Sequence, residues 1–233
     1  MSFSRVIRTK LIPPPLNPRI LPRPRMMEAL KHALDYRLTI LQAGAGYGKS
    51  TALAELAQRV NPCIWYQVNQ EDNDPFVFLL HLCHATTQAL GDVNNLPTAF
   101  LEAWDGVQGP LPWRGVVDGY INALSTHLEM PALFVLDDFQ QIHDNSEVIH
   151  ILDRLVVLGP DKLHVLLSGR PTIDIPSLAR LRLQGNLLML DQSALAFNFS
   201  ETASLFSTYY GFELTADEVT SLVTYSEGWA IAL

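Results

Sequence analysis

The segment that most constrains the fold is the small-residue loop Ala43-Gly44-Ala45-Gly46-Tyr47-Gly48-Lys49-Ser50. Residues 38–41 before it form an apolar run typical of a buried strand, and residues 49–60 after it have helical spacing. Small residues let consecutive backbone N–H groups turn inward around one point, and the dipole of the following helix directs positive charge at that point. The sequence therefore predicts a strand, an anion-binding loop and a helix in succession.

This loop fits the Walker A pattern in a relaxed form, with Ala43 where the first glycine usually stands. In that pattern Lys49 reaches the β- and γ-phosphates of a nucleotide, and the Ser50 hydroxyl ligates Mg²⁺. A plain glycine turn is the alternative, but the strand before the loop and the helix after it favour phosphate binding. The residues expected to contact ATP or ADP are Gly44, Ala45, Gly46, Tyr47, Gly48, Lys49, Ser50 and Thr51.

Two carboxylates follow a second apolar run, residues 132–136. This is the Walker B arrangement, in which a rigid strand carries a carboxylate to the metal. We expect Asp137 to join the Mg²⁺ shell, directly or through water, and Asp138 to polarise an attacking water. A solvated acidic turn after a core strand is the alternative.

A third candidate is Ser168-Gly169-Arg170-Pro171, which follows the apolar run of residues 163–167. Ligands of open α/β sheets bind at the carboxyl ends of the strands, so this segment is expected at the same crevice. Arg170 could sense a γ-phosphate there, because a guanidinium pairs with phosphate oxygens in bidentate fashion. An ordinary surface arginine remains the alternative.

Strand and helix patterns alternate along most of the chain. Apolar runs at residues 38–41, 63–68, 132–136, 163–167 and 187–190 predict strands; helical spacing covers residues 26–35, 49–60, 75–90, 116–128 and 147–158. Residues 91–112 give no clear pattern. Such alternation predicts an α/β fold, a three-layer P-loop NTPase sandwich with a mainly parallel sheet.

The same pattern suggests three parts. Residues 1–25 form a proline-rich arm, with six prolines between positions 13 and 24, and residues 26–195 form the NTPase domain. From residue 196 only helices are expected, with Thr215 and Glu218 as a capping box and Gly228 as a helix stop. The apolar end, residues 228–233, looks like the opening of another helix, which indicates a helical subdomain that continues beyond this fragment.

Charge and composition limit the possible roles. A formal net charge of -8 argues against a broad grip on nucleic acid, so any DNA contact must come from another segment. Cys63 and Cys83 lie in apolar stretches and suggest reduced, buried thiols. The proline-rich start is unlike a signal peptide, and no apolar run is long enough to span a membrane, so a cytoplasmic protein without membrane contact is expected.

Two further polar stretches have ordinary interpretations. The run from Glu71 to Asp74 could approach a nucleotide, but a polar turn in which Asp74 caps the next helix is favoured. His143 and His150 lie near carboxylates, yet no other Cys or His completes a metal site there. We expect these histidines to be structural or surface residues.

Together these stretches resemble the nucleotide-binding domain of the LuxR-type, ATP-dependent transcriptional activators related to the maltose-regulon activator, within the signal-transduction ATPases with numerous domains. Nearly the whole chain apart from residues 91–112 is covered. The matching stretches are Leu21-Pro22-Arg23-Pro24-Arg25, Ala45-Gly46-Tyr47-Gly48-Lys49-Ser50-Thr51, Trp65 with Asp72-Asn73-Asp74-Pro75, Leu136-Asp137-Asp138-Phe139, Ser168-Gly169-Arg170-Pro171, Leu178-Ala179-Arg180-Leu181-Arg182, Leu195-Ala196-Phe197 and Gly228-Trp229-Ala230-Ile231-Ala232-Leu233.

The resemblance implies a molecular switch. ADP would hold a closed resting form, ATP with an inducer would favour an open form that self-associates on promoter DNA, and slow hydrolysis would reset it. Promoter DNA would be contacted only through a C-terminal domain outside this chain. Arg23 would lie near the adenine, although Arg25 could take that role, and Gly228-Trp229 would belong to the subdomain that covers the nucleotide. The choice of ATP over GTP rests on this likeness.

The chain departs from the family at one point in the site. The family usually places Thr or Ser directly before the sensor arginine, whereas Gly169 stands there and Ser168 carries the nearest hydroxyl. Two other functions remain open: the ATPase module of a defence or signalling effector, and a P-loop fold that binds partners without hydrolysing nucleotide.

Overall fold

A computed structural model describes residues 6–18, 20–104, 109–142, 145–170 and 173–233 of the chain. Its centre is a five-stranded sheet in the order β2-β3-β4-β1-β5, and every pair of neighbouring strands is parallel. The mainly parallel sheet expected from the alternation is confirmed. The strands are β1 (Leu38–Gln42), β2 (Cys63–Gln67), β3 (Ala132–Asp137), β4 (Leu163–Gly169) and β5 (Leu187–Leu190).

Both faces of the sheet are covered, because side chains along a strand alternate between its two faces. On β3, Phe134 and Leu136 pack into one apolar core, and Leu133 and Val135 pack into a second core on the opposite face. A strand buried on both faces has to be apolar throughout, which explains the continuous apolar runs. The sandwich therefore has three layers, as the sequence predicts.

The helices of the described residues lie where the spacing places them, with shifted ends. Their bounds are α1 (Pro24–Lys31), α2 (Lys49–Ala57), α3 (Pro75–Leu90), α4 (Thr98–Ala103), α5 (Trp113–His127), α6 (Ser146–Leu158), α7 (Leu178–Leu183), α8 (Gln192–Leu195), α9 (Phe199–Leu205) and α10 (Ala216–Ser226). Three of these, α4, α7 and α8, carry no prediction from the sequence. These helices are only four to six residues long, too short for a periodicity to be counted.

Several helix ends follow the expected local chemistry. The Asp74 carboxylate accepts from the amides of Phe76 and Val77 at the start of α3. Thr215 and Glu218 form the predicted capping box of α10, with each side chain bonded to the other's backbone N–H. Pro24 opens α1 instead of ending the extended arm, because proline suits the first helical turn.

The N-terminal segment is tied to the sheet by a buried carboxylate. Asp72 has no exposed surface, forms an ion pair with Lys10, and accepts from the Tyr66 hydroxyl at 2.6 Å. The Asn69 amide donates to it at 2.7 Å. The polar turn expected at residues 71–74 is thus also the anchor of the arm.

Cys63 and Cys83 are both free, Cys83 fully buried and Cys63 partly so. Burial raises the pKa of each thiol to about 12. Of the two histidines considered for a metal, His150 stacks near Trp113, with ring centroids 6.5 Å apart, and His143 lies outside the described residues. In the described part of the chain, no helix is both long enough and apolar enough to cross a bilayer.

Candidate phosphate-binding site

The loop after β1 turns its main chain as the glycine pattern requires. Gly46 and Gly48 both have φ of 79°, in the left-handed region that a side chain would strain. The amide of Ala43 donates to the Gly169 carbonyl at 3.2 Å, so the start of the loop is fixed to the end of β4. Helix α2 begins directly after the loop at Lys49, with its N-terminus toward it. This combination presents main-chain N–H groups and a helix dipole to an anion.

Lys49 is buried under this loop. Its ammonium donates to the carbonyl oxygens of Ala43 and Gly44, both at 2.9 Å. Burial lowers the pKa of Lys49, while the charges of Asp137 and Asp138 raise it in part and that of Arg170 lowers it further. Asp137, Asp138 and Arg170 are therefore close enough to Lys49 to change its pKa.

Asp137 ends β3 and has no exposed surface. One carboxylate oxygen accepts from the Asp138 amide at 3.0 Å, but the other has no hydrogen-bond partner among the described residues. Burial raises the pKa of this carboxyl and the charge of Asp138 adds to the rise, whereas the nearby hydroxyls of Ser50 and Ser168 oppose it. An unsatisfied buried carboxylate oxygen beside a serine hydroxyl suits a hard cation such as Mg²⁺.

Asp138 follows in the left-handed conformation, with φ of 64°. Its side chain is held by two glutamine amides. Gln67 donates to one carboxylate oxygen and Gln140 to the other, both at 3.0 Å. Sequence reasoning missed both glutamines; the available signal was a polar residue at the end of β2 and another within the turn after β3.

Arg170 follows β4 and is exposed at the same edge of the sheet. Its amide donates to Oε1 of Gln140 at 3.1 Å. A Cβ on Gly169 would lie 3.1 Å from that same oxygen. The resembled family usually has a Ser or Thr hydroxyl directly before the arginine; in this chain the polar contact next to Arg170 comes from Gln140 instead. Pro171 lies outside the described residues.

Arg23 lies in the wall of a neighbouring cavity of about 250 Å³, which Tyr47, Gly48 and Thr51 also line. Its guanidinium donates to Glu201 at 3.0 Å and lies 4.1 Å from the centre of the Phe197 ring. Arg23 therefore lies beside the loop, with its charge paired to Glu201.

Arg25 shares that partner. It donates to the same Glu201 oxygen at 3.1 Å, and both arginines donate to the carbonyl of Ala196. Burial alone would raise the pKa of Glu201, but hydrogen bonds from Arg23, the Asn198 amide and Arg25 bring it below its usual value. The two arginines therefore fix the start of the helical region to α1, and only Arg23 lines the cavity.

The last residues of the chain lie over the loop. Residues 228–233 form a short 3₁₀ turn, Ala230–Ala232, instead of the opening α-helix expected from the sequence. The indole N–H of Trp229 donates to the Ala45 carbonyl at 2.8 Å, and its ring is 6.4 Å from that of Tyr47. A side chain on Gly46 would collide with Ile231 and Trp229. This segment therefore closes one side of the loop.

Known transcriptional regulators are similar to this chain over most of its length. The chain is 32% identical over 213 residues to the HTH-type transcriptional regulator MalT of Vibrio cholerae, covering 91% of this chain and 23% of that protein. It is 28% identical over 211 residues to MalT of Vibrio parahaemolyticus, with the same coverage of both. No protein-family model matches. The resemblance inferred from the motifs is confirmed, and the chain spans 23% of the length of these relatives.

Solved structures show the same fold at low identity. A signal transduction ATPase with numerous domains and a tetratricopeptide repeat sensor, from Pyrococcus horikoshii, superposes with a TM-score of 0.60 at 15% identity, covering 94% of this chain and 30% of that one. A Walker-type ATPase of Pyrococcus abyssi gives 0.57 at 14% identity, covering 93% and 67%. The P-loop NTPase fold class is confirmed.

Proposed function

We propose that this chain is the ATP- and ADP-binding switch domain of an ATP-dependent LuxR-type transcriptional regulator, and that it hydrolyses ATP slowly. One observation carries the proposal above the others. At the carboxyl ends of β1 and β3, the loop lies beside the buried ammonium of Lys49 and the unpaired, buried carboxylate oxygen of Asp137. The chain that brings these groups together is homologous to part of MalT.

Lys49 would contact the β- and γ-phosphates after leaving its present partners. Those partners are two neutral carbonyl oxygens, at Ala43 and Gly44, and a charged phosphate oxygen is a stronger acceptor. Gly46 and Gly48 carry no side chain of their own that could fill the loop. Bound Mg²⁺ would neutralise phosphate charge, and Ser50 with Asp137 would hold it.

Asp138 and Arg170 would act on the γ-phosphate from neighbouring strands. Asp138 accepts the proton of, or orients, an attacking water, and its two glutamine contacts keep the carboxylate in one orientation. Arg170 is exposed at the crevice, where its guanidinium can pair with γ-phosphate oxygens. The distinction between ATP and ADP would be made here.

The base would occupy the cavity beside Gly48 and Thr51. Its wall includes apolar residues of the arm and of the helical region, with Arg23 held in place by Glu201. The choice of adenine over guanine is based on the family resemblance described above. Self-association would be a property of the ATP-bound full-length protein. Promoter binding would require a domain outside these residues, because a chain with a net charge of -8 offers little to DNA phosphates.

Hydrolysis by the full-length protein that contains this chain tests the proposal. Asp138→Asn should still bind ATP but should release phosphate at least about a hundredfold more slowly, the usual contribution of a positioned general base. Asp92→Asn is the matched control, since Asp92 is exposed beyond the end of α3; it should match the wild type.

The other outcomes identify the alternatives. A wild type that binds ATP yet releases phosphate no faster than Asp138→Asn would contradict the hydrolysis step and favour a non-hydrolysing switch. Binding of neither ATP nor ADP in the presence of Mg²⁺ would contradict the proposal as a whole and favour an interaction module.

A further inference from the structure

One side chain bridges the two residues that face the γ-phosphate. Gln140 lies in the 3₁₀ turn Phe139–Gln141, directly after Asp138. Its amide nitrogen donates to Asp138, and its amide oxygen accepts from the backbone N–H of Arg170. The turn after β3 and the end of β4 are thus joined through a single planar amide.

The two contacts fix the orientation of this amide. A carboxylate can only accept, and a backbone N–H can only donate, so rotation of the Gln140 amide by 180° would set donor against donor and acceptor against acceptor. Each bond therefore holds the other in place. A movement of the Arg170 main chain would be transmitted to the Asp138 carboxylate through this amide.

Gly169 makes room for the bridge. A Cβ at that position would approach Gln140 Oε1 to 3.1 Å and Ile173 Cδ1 to 3.2 Å, both closer than ordinary contact. The Gly169 carbonyl also accepts from Ala43 at the start of the phosphate loop. The same glycine therefore contacts the loop through its main chain and leaves space for the amide on its other side.

On these observations we propose that Gln140 is a positioning residue that couples Arg170 to Asp138. It touches neither nucleotide nor metal; it sets the orientation of the carboxylate according to the position of the arginine. The proposal rests on the nucleotide-binding function above and adds to it how the two ends of the γ-phosphate site act together. Gln67, on the other side of Asp138, holds the second oxygen and makes no such bridge to Arg170.

Turnover tests the role first. Gln140→Met keeps the length and removes both bonds; Gln141→Met, the next residue in the same turn, is the matched control, because no hydrogen bond of its side chain is described. We expect Gln140→Met to lower kcat about tenfold or more, the cost of about 1.4 kcal/mol in transition-state stabilisation, while the dissociation constant for ATP changes less than threefold. Gln141→Met should behave as wild type.

Amide exchange tests the coupling without any turnover. Asp138→Ala removes the partner of the Gln140 amide nitrogen but does not touch Arg170. If the bridge couples the two, the Arg170 amide should exchange with solvent at least about threefold faster in this variant, because its acceptor is no longer held, and no faster in Gln141→Met.

Equal kcat in Gln140→Met and Gln141→Met, or an Arg170 amide unchanged by Asp138→Ala, would overturn the proposal. If Gln140→Met does not fold, Gln140→Glu decides: it keeps the acceptor for Arg170 but sets a carboxylate against Asp138, and an unchanged kcat would again overturn the role. Failure of the wild type to bind ATP would instead contradict the proposed function.

Discussion

At the scale of single residues, the structure shows which positions at the candidate site can be located from the sequence. Lys49, Ser50, Asp137 and Asp138 are predictable because each has a fixed place in a short motif next to a strand. Gln140 and Gln67 are not, since their role depends on β2, β3 and β4 lying side by side. Strand order is a property of the folded chain, so no local spacing could indicate it.

Asp137 offers a test through pH. Burial raises its pKa in the folded chain above the ordinary value. The folded chain then binds more protons than the unfolded chain, so the free energy of unfolding falls as the pH rises from about 4 through the raised pKa. Asp137→Asn removes the charge, so the nucleotide-free variant should be more stable than the wild type at pH 7. At pH 4 this difference in the free energy of unfolding should disappear.

Urea unfolding at pH 4 and pH 7, without nucleotide and with EDTA, measures this difference. Asp92→Asn should show no pH-dependent gain. The prediction is wrong if Asp137→Asn is less stable than wild type at pH 7. With ADP and Mg²⁺ the order should reverse, because the variant lacks the carboxylate that we propose to hold the metal.

At the scale of elements, the sequence predicts helix starts where a capping residue marks them. Asp74 with Pro75 and Thr215 with Glu218 are local signals, and the structure confirms both. Helix α2 ends three residues before the predicted limit of residue 60, although the apolar pattern continues. The apolar pattern there reflects burial against the sheet. Residues of a helix and residues of the turn after it can both be buried in this way.

The cap of α3 has a measurable value. Asp74→Ala should lower the free energy of unfolding by about 1 kcal/mol, because the amides of Phe76 and Val77 lose their acceptor. Asp92→Ala, beyond the other end of the same helix, should change it by less than about 0.5 kcal/mol. Equal effects of the two substitutions in urea unfolding would show that the cap contributes nothing specific.

At the scale of the whole molecule, the decisive contacts join distant parts of the chain. Arg23 reaches Glu201, and Trp229 reaches Ala45, across 178 and 184 residues respectively. The sequence suggests that the helical region follows the sheet domain, but it does not show where that region lies. Trp229 and Ile231 of that region contact the loop after β1. The motifs alone do not predict this contact.

The Trp229 contact predicts the rate at which nucleotide leaves. Trp229→Ala removes a hydrogen bond to the loop, of the order of 1 kcal/mol, and should release ADP about fivefold faster. Tyr225→Ala is the control, since Tyr225 is 90% exposed. Displacement of a fluorescent ADP analogue in a stopped-flow instrument measures both rates. Identical rates in the two variants would mean that the segment does not retain nucleotide.

We propose that a polyphosphate binds in the loop beside Lys49. Titration with ADP and Mg²⁺, followed by thermal unfolding, tests it most directly. At a hundred times the dissociation constant the wild type should gain about 2.7 kcal/mol, and its Tm should rise by roughly 5 to 10 °C.

Lys49→Ala should abolish this rise. Lys31→Ala should retain it, because Lys31 pairs only with the exposed Glu28 in the described part of the chain. A wild type whose Tm does not respond to ADP and Mg²⁺, or a Lys49→Ala variant that gains as much as the wild type, would contradict polyphosphate binding in this loop.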